Sequence, residues 1–266
     1  MNLHETMQQV KAIARDAGTL VMSYYNQPMK MGTKASARDI VTEADKAAEV
    51  LIVERLTALY PGHHIVGEEG GGQGAPMADA DYYWYVDPID GTTNFAGTIP
   101  YFSTSIALTD SDHNILLGVV YDPTRPEMFS AIRGSGAYLN DSPIHVSETS
   151  DMLNSLFASG FPANEDVQTN VMYWTNFLKE ARGMRRLGSA ALDLCYVGCG
   201  RLEGWWEGGI NRWDVMAGIL IVNEAGGTLS DFSGNSDPQK NNDGYYVASN
   251  TTLHPDMLRI LQSDTE

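Results

Sequence analysis

The segment Tyr85-Val86-Asp87-Pro88-Ile89-Asp90-Gly91-Thr92-Thr93-Asn94-Phe95 sets two carboxylates just ahead of a glycine and two threonines. An apolar run ends at Asp87 and Pro88 turns the chain. Gly91-Thr92-Thr93 is suited to open a helix whose free amides face back toward that turn. Two acidic side chains and an anion-ready helix start would then share one small space. A cation sandwiched between protein carboxylates and a phosphate requires such an arrangement. Oxygen-only donors select hard cations, and magnesium prefers a few carboxylates, waters and substrate phosphate to an all-protein cage. Taken singly, Asp-Pro and Asp-Gly are turn formers; the whole string is what points to chemistry.

Other acidic and hydrolytic patterns do not fit. The segment lacks the alternating acids and downstream Glu of a calcium-binding helix-loop-helix, and it lacks the Asp-x-Asp pair of aspartate-nucleophile phosphatases. The chain has no Gly-x-x-x-x-Gly-Lys-Ser/Thr loop, no His-Glu-x-x-His and no Gly-x-Ser-x-Gly.

Three motifs in order, Gly67-Glu68-Glu69, Asp87-Pro88-Ile89-Asp90-Gly91-Thr92-Thr93-Asn94-Phe95 and Trp213-Asp214-Val215-Met216-Ala217-Gly218 leading into Glu224-Ala225-Gly226-Gly227, extend over most of the chain. On these residues the sequence resembles the inositol monophosphatase family, the lithium-sensitive, magnesium-dependent sugar phosphatases. The resemblance implies that Glu68, Asp87, the carbonyl of Ile89, Asp90 and Asp214 hold two or three Mg2+ ions. It implies that Thr92 with Glu68 positions the attacking water, with Asp90 beside them in the catalytic set. The amides of Gly91 and Thr92 would grip phosphate, with no covalent phosphoenzyme. Gly188, Ser189 and Ala190 resemble the family's substrate-contacting turn, Glu207 its hydroxyl-binding glutamate, and Asp214 would also reach the substrate. A carboxylate accepts hydrogen bonds from neighbouring hydroxyls, which suits a polyol.

The same resemblance would place Lys34 near the catalytic loop and Asp45 near the metals; on residue type alone they read as a surface lysine and a helix-face aspartate. Glu69 is either a helper beside Glu68 or a solvated loop glutamate. Arg185 and Arg186 read as salt-bridge partners, with a second anionic group or a partner subunit as the alternative. The expected substrate is a small phosphorylated polyol, inositol monophosphate first. Fructose bisphosphate, histidinol phosphate and an adenosine bisphosphate are rivals, and a regulatory, macromolecule-binding role stands as a different class of function. The family's habit also implies a homodimer.

These residues need elements to hold them. Apolar side chains at Leu3, Met7, Val10, Ile13, Ala14, Ala17, Val21 and Met22 predict one helix over 3–25, and a second runs over 43–59, closed by Tyr60-Pro61-Gly62. Residues 29–39 read as a hairpin or loop, and 70–74, glycine-rich, as a flexible lid or surface loop. Strands are expected at 82–86, 103–109, 115–121 and 128–132 in an antiparallel sheet under the two helices. Helices at 167–181, 189–197 and 213–224 follow, with a short strand at 156–159. The fold class is therefore α+β, a layered α-β-α-β-α sandwich of the sugar-phosphatase kind. An N-terminal half, 1–142, carries most ligands, and a C-terminal half, 143–266, carries the substrate contacts and Asp214.

Thirty-four acidic against seventeen basic residues give a net charge of -17, so the surface should repel phosphate backbones and anionic membranes. Nucleic acid is not expected as a general partner. The N-terminus has no basic region followed by an apolar run, and no apolar stretch approaches the ~20 residues of a membrane helix; the expectation is a soluble, cytoplasmic protein. Cys195 and Cys199 read as reduced thiols, and Trp205, Trp206 and Trp213 as core or interface residues.

Overall fold

The computed structural model describes residues 1–28, 30–33, 40–161, 167–241 and 244–263. Two antiparallel helices cover one side: α1 (Leu3–Tyr24), whose Asn2 cap accepts the amides of His4 and Glu5, and α2 (Glu43–Leu59). Short strands β1 (Met31–Thr33) and β2 (Ile40–Thr42) pair between them, while Lys34 and the rest of 34–39 lie outside the described residues.

A large sheet follows from β3 (His64–Gly67), β4 (Gly71–Gly74), β5 (Tyr82–Asp90), β6 (Ser103–Asp110), β7 (Ile115–Asp122), β8 (Glu127–Ile132), β9 (Ala137–Leu139) and β10 (Ser142–Ile144). Its order is β10-β9-β8-β7-β6-β5-β3-β4. Two expectations are corrected here. The glycine-rich segment 71–74 is the edge strand, paired antiparallel with β3, because its backbone is free to hydrogen-bond even though its residues lack side chains to pack. The sheet is also mixed, since β3 lies parallel to β5. Alternation along the strands sorts the two faces. Trp84, Val86, Ile106, Leu108, Leu117 and Val119 meet Val10, Ile13, Ile52 and Leu56 of the first two helices.

The opposite face receives α5 (Ala190–Gly198) and α6 (Arg212–Glu224), which follow the five-residue α3 (Thr92–Ala96) and α4 (Val167–Glu180) in the chain. Helix α6 lies close on β7: a Cβ on Gly118 would sit 2.8 Å from the Ala217 carbonyl oxygen. Gly218 gives the same closeness against Leu194 of α5. Beyond these helices stands a second sheet, β11 (Leu156–Ser159), β12 (Gly183–Arg185), β13 (Gly204–Glu207), β14 (Gly227–Ser230) and β15 (Tyr246–Asn250), in the order β12-β11-β13-β15-β14. Trp205 and Ala248 face inward to α5 and α6, and Phe157, Trp206 and Val247 face outward to α4 and α8 (His254–Leu261), past the short α7 (Pro238–Asn241). The layers are thus α-β-α-β-α. Both cysteines are free thiols, and Trp205 and Trp206 are fully buried. Among the described residues no helix is long and apolar enough to cross a membrane.

Candidate active site

Strand β5 does not stop at Asp87, as the proline suggested; it continues to Asp90 through a bulge. Asp87 pairs with Ser105 and Asp90 with Ser103, so one extra residue is absorbed between them. In a regular strand, residues three apart point to opposite faces. The bulge resets that phase, and both carboxylates line one cleft. Pro88 fits because it has no amide to donate; its carbonyl accepts from the Thr104 hydroxyl at 2.9 Å. The Ile89 amide donates to Asp87 Oδ1 at 2.9 Å. Gly91 then turns at φ 99°, where a Cβ would lie 3.0 Å from the Gly188 carbonyl and 3.1 Å from that of Tyr101, so glycine is required.

The cleft, about 660 Å³, brings together Glu68, Asp87, Ile89, Asp90, Gly91, Thr92, Gly188, Ser189, Ala190, Glu207 and Asp214. Each of these was named from sequence. Glu68 enters from the turn after β3, and Asp214 from the first turn of α6, where its Oδ2 accepts the Asn211 amide at 3.1 Å. Asp90 reaches across to α5. Its Oδ2 accepts the Ser189 hydroxyl at 2.6 Å and the Ala191 amide at 2.7 Å, and its Oδ1 accepts the Ala190 amide at 3.3 Å. The 188–190 turn therefore spends donors on a site carboxylate as well as lining the cleft.

Asp45, fully buried in the first turn of α2, bonds the Thr42 amide at 2.8 Å with Oδ2 and turns Oδ1 to the Thr92 hydroxyl at 3.1 Å. The same hydroxyl is 3.0 Å from the Ile89 carbonyl, and its one proton serves one acceptor at a time. Lys34 cannot be placed, since it lies outside the described residues. Glu69 is half-buried and donates its amide to Glu49 Oε2 at 2.8 Å.

Burial pushes the Asp87 and Asp214 carboxyls well above the usual carboxylate range, reinforced by Glu68 and Asp90 nearby. Asp87 lies close to both Glu68 and Asp214. Burial raises Asp90 to about 7 against its three donors. Among the described residues no three acidic, histidine or cysteine side chains converge, as they stand, on a single ion position. The donor chemistry still fits hard divalent cations: Glu68, Asp87, Asp90 and Asp214 share a cleft, with Asp193 and Glu207, whose only lysine or arginine among the described residues is Arg186, and like charges so placed need a counter-charge.

Glu207 is buried rather than solvated, and burial, with Asp193 and Asp90 near it, pushes its carboxyl to about 8. A Cβ on Gly160 would overlap the Glu207 carboxylate. The salt bridges expected for the arginine pair are absent among the described residues. Arg185 Nη1 donates to the Met184 carbonyl at 3.0 Å, and Arg186 lies over the Phe161 ring at 5.6 Å. Sequence reasoning missed Asp193, which lines the cleft and accepts the Tyr101 hydroxyl at 2.7 Å. It also missed Glu49, although Glu49 stands one helical turn after Asp45 on the same buried face.

This layered fold and acid-lined cleft define a phosphoric monoester hydrolase. A family description, "Inositol monophosphatase family", matches residues 2–266. The chain is 40% identical over 255 residues to the Nus factor SuhB of Pasteurella multocida, covering 94% of this chain and 92% of the relative. It is 41% identical over 248 residues to the inositol-1-monophosphatase of Synechocystis, covering 92% and 84%. The crystal structure of the extragenic suppressor protein suhB from Bartonella henselae superposes with a TM-score of 0.92 at 35% identity, covering 98% of this chain and 100% of that one. The chain belongs to the inositol monophosphatase family.

Proposed function

We propose that the protein hydrolyses a small phosphorylated polyol, inositol monophosphate first, using two or three Mg2+ ions held by Glu68, Asp87, the Ile89 carbonyl, Asp90 and Asp214. The observation that carries this reading is that the acidic set and the Thr92–Asp45 pair line or adjoin a single cleft. When bound, the ions neutralise the carboxylates, acidify a water and stabilise charge on the phosphoryl oxygens.

The chain's own groups do the rest. Thr92 donates to Asp45, which leaves its oxygen to accept a hydrogen bond from the attacking water, with Glu68 on the water's other side. The amides of Gly91 and Thr92 hold phosphoryl oxygens. A water oxygen bonds to phosphorus as the ester P–O bond breaks, and the proton that the water gives up ends on the departing alkoxide, so that the alcohol and inorganic phosphate leave. Glu207, with the 188–190 turn, accepts hydroxyls of the polyol. Its burial supports that role, because a carboxylate removed from water needs donors. Lithium sensitivity, a homodimer, a cytoplasmic location and a division into halves at 142/143 belong to the same reading. Fructose bisphosphate, histidinol phosphate and an adenosine bisphosphate remain its rival substrates.

A second reading, regulatory contact with another macromolecule, is favoured by the name Nus factor SuhB that several relatives carry. The full acidic set and Thr92 support the enzymatic reading, since a purely regulatory chain has no need of them. Phosphate release from the four candidate esters, with and without Mg2+ and with lithium added, tests both. Magnesium-dependent release from one ester supports the enzyme and names its substrate. No release from any ester by a folded, metal-bound protein would move the reading to regulation.

A further inference from the structure

Helix α2 carries a second acidic side chain turned toward the site. Glu49 is 3% exposed and has no basic partner among the described residues. Its carboxylate instead accepts two main-chain donors, the Glu69 amide at 2.8 Å and the Gly70 amide at 2.5 Å. Those amides belong to the two residues directly after Glu68. The Gln73 side-chain amide, on β4, reaches Oε1 at 3.5 Å.

The fit between carboxylate and turn is close. A Cβ on Gly67 would stand 2.7 Å from the Glu49 carboxyl carbon, and one on Gly70 would stand 2.7 Å from Oε1. Glycine therefore flanks Glu68 on one side and follows Glu69 on the other because the turn wraps a buried carboxylate. Asp45, one helical turn earlier on α2, bonds Thr92. One rigid helix thus holds both the hydroxyl of the site and the turn that presents Glu68.

We propose that Glu49 is a positioning residue for the metal site: its carboxylate fixes the 68–70 turn from behind and so sets the direction of Glu68. This rests on the reading of Glu68 as a ligand. Glu49 itself touches neither ion nor substrate. A group that orients a ligand acts on metal affinity, and loss of such a partner lowers affinity by about 10- to 100-fold. A group that merely caps a turn acts on stability alone.

The test is Glu49→Gln, which keeps the shape but puts an NH2 where one amide needs an acceptor, with Glu49→Asp as a second variant that keeps the charge and withdraws it by one methylene. The dissociation constant for Mn2+, a Mg2+ surrogate, is measured by calorimetry on the full chain. It should rise about tenfold in both variants. The Mg2+ concentration giving half-maximal turnover should rise in parallel, while KM for the ester at saturating Mg2+ stays within about twofold. Hydrogen exchange on cation-free wild-type protein should show protected Glu69 and Gly70 amides, and that protection should be lost in Glu49→Gln. Unprotected amides in the wild type, or Mn2+ affinity within about twofold of wild type in a folded variant, would overturn the proposal. Glu68→Gln is the control: if it leaves Mn2+ affinity unchanged, the ligand assignment fails, and the positioning role fails with it.

Discussion

Asp90→Asn should make the cation-free protein more stable at pH 8 while abolishing turnover. The buried Asp90 carboxyl is pushed from 3.8 to about 7, burial outweighing its three hydrogen bonds. Between those values the folded chain holds a proton that the unfolded chain has released. This contribution to stability is therefore fully present below pH 4, is lost as pH rises, and is gone above pH 7. Three pH units at 1.36 kcal/mol each make that loss roughly 4 kcal/mol. An asparagine does not ionise and escapes it. Its NH2 cannot accept, however, so one of the donors now on Oδ2 loses its partner, at a cost of about 1–3 kcal/mol. The net expectation is a gain of about 1–3 kcal/mol at pH 8 and near parity at pH 5.5. Urea denaturation with a chelator present, at both pH values, measures this. Saturating Mg2+ should then reverse the order, because the ion binds only the native wild type. A variant less stable than wild type at pH 8 without cations, or a stability difference between variant and wild type that is the same at both pH values, would refute the reasoning.

Thr92→Ala should lower kcat by about 10²- to 10⁴-fold with Mg2+ affinity nearly unchanged, as for loss of a group that positions a proton transfer; stopped-assay kinetics and calorimetry check it. Ser189→Ala removes a charge-assisted bond worth about 1.5–3 kcal/mol to ionised Asp90. Losing a bond that favours the charged form raises its pKa, so the acid limb of the activity profile should move up by about 1–2 pH units. Gly160→Ala pushes a methyl into the Glu207 carboxylate. KM for an inositol monophosphate should rise about tenfold, a scale typical of one lost polar contact. Turnover of an aryl phosphate without hydroxyls should stay near wild type, and equal effects on both substrates would count against a hydroxyl-binding Glu207.

Much of this was legible along the chain because the signals are local. The helical period of Met7, Val10, Ala14, Ala17 and Val21 marks α1, and strand alternation marks β5 to β8. Illegible parts depend on neighbours distant in sequence. Gly71–Gly74 carries no side-chain pattern, and only pairing with β3 makes it a strand. The bulge at 88–89 is set by the register against Ser103 and Ser105, so Pro88 read as a stop. The ligand types came from motif strings, but the part Ser189 plays toward Asp90, across ninety-nine positions, has no local signature. Glu49 showed only as an acid on a buried helical face, a signal that is visible but does not say what it holds.

Three carboxylates in or beside the cleft share one device. Asp45 accepts an amide at the start of α2, Asp214 at the start of α6, and Asp90 two amides at the start of α5. Each negative charge thus sits where a helix leaves unpaired N–H groups and the positive end of its dipole. That placement offsets part of the cost of burying like charges in a cleft where Arg186 is the one lysine or arginine among the described residues, and it fixes each carboxylate to a rigid element. It also couples assembly to folding. Asp90 leaves the end of β5 and is received by the start of α5, ninety-nine positions on, so the acid-lined cleft exists only once this sheet and this helix layer have docked.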